Sequence, residues 1–279
     1  MRLLFLADYF TDQINGGGEN NDARLIAHLR DNGVEVTCIP TTQVTQGNID
    51  EHTKVIVGNF VRLPEALKQH LIHTKSYLIY EHDHKYVTTR DPAKFVNFNV
   101  PADQIVNRQF YEASAQTIVL SNICQRVLQT VLPAVKVHSI GCSLWTEDFF
   151  ELMKNLCTVE KTKDTCILLS HNPTKNYPTT VKYCITKGID YTAIHAEHHP
   201  DFLEQMAEYK NFLFMPTVLE TFSRVCAEAK MLGLNVLTNP KMVGMFSEPF
   251  SDLKGRALQD VLYEQNQHAL KHFVDWAKE

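Results

Sequence analysis

The stretch Asn211–Gly233, NFLFMPTVLETFSRVCAEAKMLG, decides the fold of this chain. Its first five residues, NFLFM, predict a short buried strand, and Thr221–Gly233 predicts a helix that ends at glycine. The run NVLTN at Asn235–Asn239 predicts the next strand. Short, continuously apolar strands that alternate with helices are typical of a parallel sheet covered on both faces.

The same alternation runs through the rest of the chain, in two series. The charged stretch Trp145–Asp164, which has no strong period of two, separates them. We therefore predict an α/β fold of two doubly wound, Rossmann-like lobes that face each other across a cleft. The predicted bounds are 1–145 for the N-terminal lobe, 146–265 for the C-terminal lobe, and 266–279 for a C-terminal helix that packs back on the N-terminal lobe. The other predicted strands are Leu3–Ala7, Val34–Ile39, Lys54–Gly58, Ser76–Tyr80, Thr117–Leu120, Val135–Ile140, Cys166–Ser170 and Asp190–Ile194, and the other predicted helices are Asn21–Asn32, Thr179–Gly188 and Phe202–Lys210.

The composition excludes several classes of protein. Among 279 residues, 27 Lys and Arg face 32 Asp and Glu, and the net charge of −5 argues against a protein that coats nucleic acid through overall positive charge. No apolar run approaches the roughly 20 residues of a membrane span, and the start, MRLLFLADYF, lacks the features of a secretory signal. Seven scattered cysteines without a C-x-x-C pair favour reduced thiols and a cytoplasmic protein.

Two carboxylates flank the start of the helix predicted at Thr221–Gly233. Glu220 lies in the loop after a strand, and Glu228 follows eight residues later, two turns into the helix. At about 100° per residue the two side chains come near one face, with the amides of the helix N-terminus between them. Such a site could hold phosphate on the amides and hydroxyl groups on the carboxylates. Alternatively Glu220 caps the helix and Glu228 is a solvated charge, and the spacing alone does not decide.

A glycine-rich segment, Asn15-Gly16-Gly17-Gly18-Glu19, follows the first predicted strand and opens a helix. Glycines allow a ligand to approach the backbone closely, and a helix N-terminus favours anionic groups. The segment is neither G-x-G-x-x-G nor a P-loop. It therefore predicts either an anion-binding turn or only a flexible connection.

The stretch Asn211–Gly233 resembles the E-x7-E signature of retaining GT-B glycosyltransferases, the glycogen-synthase-like group. Members typically read P-S-x-x-E-x-F-G before the second Glu and A-x-x-x-G-x-P-V after it. This chain matches at Pro216, Thr217, Glu220, Phe222, Glu228, Ala229, Gly233 and Val236.

Weaker similarities extend over nearly the whole chain. The glycine-rich segment resembles the opening P-x-x-G-G-x-E element of the family. In its short length and its segment E-H-D-H-K-Y, the chain also resembles short phage-encoded glycosyltransferases. Some of those enzymes act on hydroxymethylated pyrimidines in DNA. The remaining matches to family elements are Leu120-Ser121, His138-Ser139-Ile140-Gly141 with Phe149, and Val243-Gly244 with Glu248.

The chain departs from the family at the phosphate-binding positions. Where members carry G-R-x-x-x-x-K, this chain reads Ser170-His171-Asn172-Pro173-Thr174-Lys175-Asn176. Lys175 keeps the phosphate-neutralising role by resemblance, one residue closer to the strand. The Arg is absent, and His171 or Arg224 is its potential substitute. Ser223 stands where glycine is usual.

The resemblance implies a nucleotide-diphosphate sugar on the C-terminal lobe and an acceptor on the N-terminal lobe. Glu228 would bind the ribose hydroxyls, Glu220 the transferred sugar, and backbone amides near Thr221–Ser223 the diphosphate, with the base near His195. The family transfers with retention, with the leaving phosphate taking the acceptor proton, and it usually needs no metal; the donor is a substrate, and no cofactor is expected. The residues implied in donor binding are Gly17, Gly18, His171, Lys175, His195, Glu220, Thr221, Phe222, Ser223, Arg224 and Glu228.

The segment Tyr80-Glu81-His82-Asp83-His84-Lys85-Tyr86 follows a predicted strand and allows three interpretations. It could be a metal site, a loop that contacts the acceptor and the reacting sugar, or a polar surface loop. The resemblance favours the second, with His82, His84 and Glu220 as catalytic residues. We predict no metal site, because the D-x-D motif is absent and the segment His195–His199, HAEHH, is not H-E-x-x-H.

Positive charge concentrates in the middle of the N-terminal lobe, where residues 60–138 carry 9 Lys and Arg against 6 Asp and Glu. Either this is an ordinary mixed surface or it binds an anionic acceptor, such as a phosphorylated lipid, an acidic glycan or DNA. The residues predicted to bind the acceptor are Glu19, Asp83, Lys85, Arg90 and Arg108.

The sequence thus predicts a glycosyltransferase that moves a sugar from a nucleotide-diphosphate sugar to a saccharide or glycolipid. One alternative is a phage-type enzyme acting on hydroxymethylated pyrimidine bases in DNA. The other is a non-catalytic module that binds nucleotide sugars.

Overall fold

The computed structural model describes residues 2–14 and 16–279, so Asn15 of the predicted glycine-rich turn lies outside the described residues. The chain divides into two compact units. Unit 1 comprises the residues up to Trp145 together with Gln265–Glu279, and unit 2 comprises Thr146–Glu264.

Unit 1 is built on a parallel sheet with strand order β2-β1-β3-β4-β5-β6. Its strands are β1 (Arg2–Ala7), β2 (Glu35–Pro40), β3 (Lys54–Val57), β4 (Ser76–Tyr80), β5 (Gln116–Val119) and β6 (Val137–Ser139). Its helices are α1 (Gly17–Asp31), α2 (Gln46–Asp50), α3 (Glu65–Thr74), α4 (Arg108–Glu112) and α5 (Asn122–Val131).

The apolar runs form this sheet because helices cover both of its faces. Leu3 to Ala7 of β1 are fully buried, which matches a strand without polar alternation. Beyond the strand ends, the buried Asp8 carboxylate accepts hydrogen bonds from the amides of Val61 and Arg62 and from the Thr41 hydroxyl. Asp8 therefore joins the loops that follow the first three strands at their carboxyl ends, where ligands bind in such sheets.

Unit 2 contains a second parallel sheet, with strand order β10-β9-β7-β8. Its strands are β7 (Lys163–Leu168), β8 (Thr192–Ile194), β9 (Tyr209–Leu213) and β10 (Asn235–Leu237). Its helices are α6 (Glu147–Leu156), α7 (Tyr177–Lys187), α8 (His199–Ala207) and α9 (Arg224–Met231), and a last helix, α10 (Gly255–Lys278), contributes to both units.

Several helices depart from the sequence prediction, and two of them lie next to the boundaries between the units. The stretch predicted only as a charged boundary contains α6, whose N-terminus is capped by the Thr146 hydroxyl and whose apolar face buries Phe150 and Met153. The predicted C-terminal helix at 266–279 is the second half of α10, which begins at Gly255. In that half the buried Phe273 ring meets the Tyr80 ring edge-on, with centroids 5.1 Å apart.

Candidate functional site

The turn before α9 differs from the prediction. The helix begins at Arg224, and Ser223 precedes it in the left-handed region with φ 69° and ψ 85°. The helix therefore begins three residues after the predicted Thr221, and diphosphate binding by the amides near Thr221–Ser223 stays a prediction. This backbone conformation explains why glycine suits position 223, since a residue without a Cβ adopts it without strain.

Glu220 is held in place by its own backbone. Its amide donates to the Met242 carbonyl at 2.9 Å, and its carbonyl accepts from the Gly244 amide at 2.9 Å. The Lys175 amine donates to both carboxylate oxygens of Glu220, at 2.8 and 3.0 Å. Lys175 lies in a short 3-10 turn that follows β7, so the loops after two neighbouring strands bring these two predicted residues together.

Glu228 is almost completely enclosed, with 3% of its side chain exposed. Its Oε2 lies 3.0 Å from His199 Nε2, and its Oε1 lies 3.6 Å from Arg224 Nε. The alternative of a solvated surface charge is therefore wrong. The Glu228 carboxylate is therefore a buried acceptor held between an imidazole and a guanidinium group.

Sequence reasoning missed His199, which it considered only within the failed zinc motif. Burial by itself lowers the pKa of this imidazole, but the Glu228 carboxylate, through its charge and its hydrogen bond, more than compensates and raises the pKa above the ordinary value. A signal was available, because His199 opens the helix after β8 and therefore follows the carboxyl end of a parallel strand.

The other residues predicted to bind the donor differ in how exposed they are and in which unit they lie. The Phe222 ring is fully buried in the core, so the donor contact predicted at this position would have to come from its backbone. His171 and His195 are exposed, in the loops after β7 and β8. In unit 1, Gly17 begins α1, and Gly18 lies beside His82.

The loop after β4 is organised by a buried ion pair. Lys85 Nζ donates to Glu81 Oε1 at 2.7 Å, and the Tyr111 hydroxyl donates to the other oxygen of the same carboxylate. Burial alone would raise the pKa of Glu81, but the Lys85 ammonium and the Tyr111 hydroxyl hold this pKa below its usual value. The Lys85 side chain is only 1% exposed, which corrects the prediction that it binds an acceptor.

The two histidines of this loop are also enclosed. His84 is 1% exposed, with its Nδ1 2.9 Å from the Tyr86 hydroxyl, so the structure does not present it to a ligand as we predicted for a catalytic residue. The His82 side chain is 8% exposed, with its Nε2 2.8 Å from Asp22 Oδ1. The catalytic role of His82 stays a prediction, and its imidazole is held against the Asp22 carboxylate.

The predicted positive surface is largely neutralised by local partners. Arg90 pairs with Asp83, and Arg108 lies 3.2 Å from Glu112, with both Arg side chains about half exposed. Glu19 lies in the first turn of α1, where a Cβ at Gly16 would collide with its carboxylate. Two of the basic residues predicted to bind the acceptor therefore have acidic partners.

The described residues were also compared with the requirements of a metal site and of a membrane span, and they meet neither. Across residues 2–14 and 16–279, no three His, Cys, Asp or Glu side chains are grouped so that they could hold a metal ion. Within the same residues, every helix is too short or too polar to cross a bilayer.

Comparisons with known proteins identify the fold. No protein-family model and no curated protein matches this sequence. A crystal structure of Anabaena Alr3699/HepE in complex with UDP and glucose matches with a TM-score of 0.55 and 13% identity, over 96% of this chain and 89% of that chain. An α-glucosyltransferase in complex with UDP-glucose and DNA containing an abasic site matches with a TM-score of 0.55 and 10% identity, over 100% of this chain and 99% of that chain. An α-glucosyltransferase in complex with UDP and a 13-mer DNA containing a HMU base matches with a TM-score of 0.51 and 10% identity, over 100% of both chains.

These similarities confirm the predicted fold class. The chain has the α/β fold of GT-B glycosyltransferases, with two parallel sheets of six and four strands in its described part. At 10–13% identity these similarities establish the fold alone.

Proposed function

We propose that this protein is a glycosyltransferase that transfers a sugar from a UDP-sugar donor. The observation that carries the proposal is the pair of carboxylates in unit 2, each already held against a cation: Glu220 against Lys175, and Glu228 against His199 and Arg224. The choice of UDP is supported by the UDP and UDP-glucose in the similar structures.

The proposed roles follow from the chemistry of each group. Glu228 accepts hydrogen bonds from the ribose hydroxyls, and Glu220 accepts them from the transferred sugar. Lys175 and Arg224 neutralise the charge that grows on the leaving diphosphate, so no metal or separate cofactor is needed for that task. Lys175 lies close enough to Glu220 to contact both the sugar-binding carboxylate and a neighbouring phosphate.

The proposed stereochemical course is retention. Attack from the face of the departing phosphate lets a phosphate oxygen take the acceptor proton, and the protein then contributes positioning and charge neutralisation rather than a strong base.

Two measurements test this proposal. Thermal shift with UDP, GDP and ADP should show the largest stabilisation with UDP, because ligand binding to the folded state raises the melting temperature. Incubation with UDP-glucose in the absence of an acceptor should release UDP slowly. UDP binding without any turnover of a panel of UDP-sugars would indicate a non-catalytic binding module, and a failure to bind any nucleotide would refute both.

For the acceptor, we propose a saccharide or a glycolipid. The burial of Lys85 and the local pairing of Arg90 and Arg108 support a weakly charged acceptor surface. The test is transfer of radiolabelled glucose from UDP-glucose to panels of saccharides and glycolipids.

Modified DNA is the second candidate acceptor. It is supported by the full-length similarity to an α-glucosyltransferase whose structures contain DNA. The test is binding of a duplex with hydroxymethylated pyrimidines over a range of salt concentrations, since each phosphate contact releases counterions and makes the affinity fall with salt. No binding at low ionic strength would exclude DNA as the acceptor. Strong binding with a steep salt dependence would make DNA, rather than a saccharide, the proposed acceptor.

A further inference from the structure

Unit 1 contains a buried carboxylate–imidazole pair that the proposed chemistry leaves without a role. Asp22 lies in α1 and His82 follows β4, sixty residues later. Asp22 Oδ1 and His82 Nε2 are 2.8 Å apart, and the two side chains are only 3% and 8% exposed.

The surroundings leave this pair little freedom to move. A Cβ at Gly58 would lie 2.7 Å from Asp22 Oδ2, and a Cβ at Gly18 would lie 3.4 Å from His82 Cγ. The Tyr80 ring meets the imidazole edge-on, with centroids 4.2 Å apart. Gly58 thus admits the carboxylate, while His82 lies against Gly18 in the first turn of α1.

The chemistry of the pair fixes the protonation of one nitrogen. An ionised carboxylate only accepts hydrogen bonds, so His82 Nε2 must carry a proton. In the neutral ring Nδ1 is then the acceptor, and a carboxylate partner of this kind sets both the tautomer and the ring orientation.

Other bonds also anchor α1. The Asn21 carboxamide accepts a hydrogen bond from the Leu144 amide at 2.8 Å, and Arg24 Nε donates to the Trp145 carbonyl at 3.0 Å. These two bonds hold the first turns of α1 on either side of Asp22. A buried charged group that packing does not require points to a role for the orientation of its partner.

We propose that Asp22 is a positioning residue of the transfer reaction. It holds the His82 imidazole in one orientation, and through that ring it supports Gly18 in the first turn of α1. The proposal rests on the proposed function for its kinetic part, whereas the orientation of His82 is a property of the folded protein alone.

The orientation is tested by NMR of the protein labelled with 15N-histidine. We expect the neutral ring to carry its proton on Nε2, the nitrogen that faces Asp22. A proton on Nδ1 alone would overturn the proposal, whatever the activity of the protein.

The kinetic part is tested with Asp22→Asn, which keeps the volume and removes the charge. We expect kcat for UDP-glucose hydrolysis to fall about tenfold or more, as for the loss of a charged hydrogen bond. KM for UDP-glucose and Kd for UDP should stay within about twofold, because the proposed nucleotide contacts lie in unit 2. Asp31→Asn, the same change at an exposed position of α1, is the matched control and should leave all three constants unchanged.

Further variants separate positioning from stability. His82→Gln, whose amide can still donate to Asp22, should retain more activity than His82→Ala. If Asp22→Asn does not fold, Gly58→Ala crowds the same carboxylate without removing it and should lower kcat in the same direction.

Wild-type kcat in folded Asp22→Asn would overturn the proposal, as would equal losses in kcat and UDP affinity, which indicate a purely structural role. If the wild-type protein binds UDP but turns over no UDP-sugar, the proposed function and the kinetic role of Asp22 fail together. The NMR result then decides the orientation of His82 alone.

Discussion

Replacement of Glu228 by Gln is the sharpest test of the donor site. The substitution keeps the shape of a side chain that is 3% exposed and removes the charge that faces His199 at 3.0 Å and Arg224 at 3.6 Å. A hydrogen bond to a charged group contributes about 1.5–3 kcal/mol, and each 1.4 kcal/mol is about tenfold in affinity. We therefore expect the Kd for UDP to rise about 10- to 100-fold in Glu228→Gln, and at least as much in Glu228→Ala.

The assay is isothermal titration with UDP and with 2′,3′-dideoxy-UDP. The wild-type protein should prefer UDP, because only UDP offers hydroxyls to the carboxylate, and Glu228→Gln should lose most of that preference. Glu204→Gln, at an exposed position of α8, is the control and should bind like the wild type. An equal loss of affinity for both nucleotides would show that Glu228 supports the fold rather than the ribose, and unchanged affinity for UDP would remove it from the site.

Four further predictions concern other parts of the molecule. Lys175→Ala should weaken binding of UDP much more than binding of uridine in the same titration, and equal losses would mean that Lys175 does not meet the diphosphate. Turnover of UDP-glucose should persist in excess EDTA, whereas complete loss restored by one divalent ion would contradict the proposed role of Lys175 and Arg224. Ser223→Gly should raise the free energy of unfolding in urea by about 0.5–1 kcal/mol, because relief of the left-handed conformation, about 1–2 kcal/mol, exceeds the greater entropy lost by glycine, about 0.5–1 kcal/mol. Burial lowers the pKa of both His138 and His272, whose rings stack 4.3 Å apart. The free energy of unfolding should therefore fall as the pH drops below about 6.5, because the unfolded chain takes up protons first. His272→Gln should reduce that loss, and the same pH profile in the variant and the wild type would refute this prediction.

The sequence by itself determined the α/β class, because continuously apolar strands between helices fit only a parallel sheet covered on both faces. It also predicted a donor site at Glu220 and Glu228 and, through the family resemblance, at Lys175, and the Lys175 amine does meet the Glu220 carboxylate. It placed α9 three residues too early, because the strained turn at Ser223 has no glycine to mark it. It missed α6, whose apolar face is too short to stand out among charged neighbours.

The tertiary structure decided which charged groups meet. A count of basic residues cannot show that Lys85 is buried against Glu81, or that Arg90 and Arg108 have local partners. The contacts of Glu228 with His199 and of Asp22 with His82 join residues 29 and 60 positions apart. Such pairs form only after the order of strands in each sheet has brought distant loops to one edge, and sequence periodicity carries no information about that order.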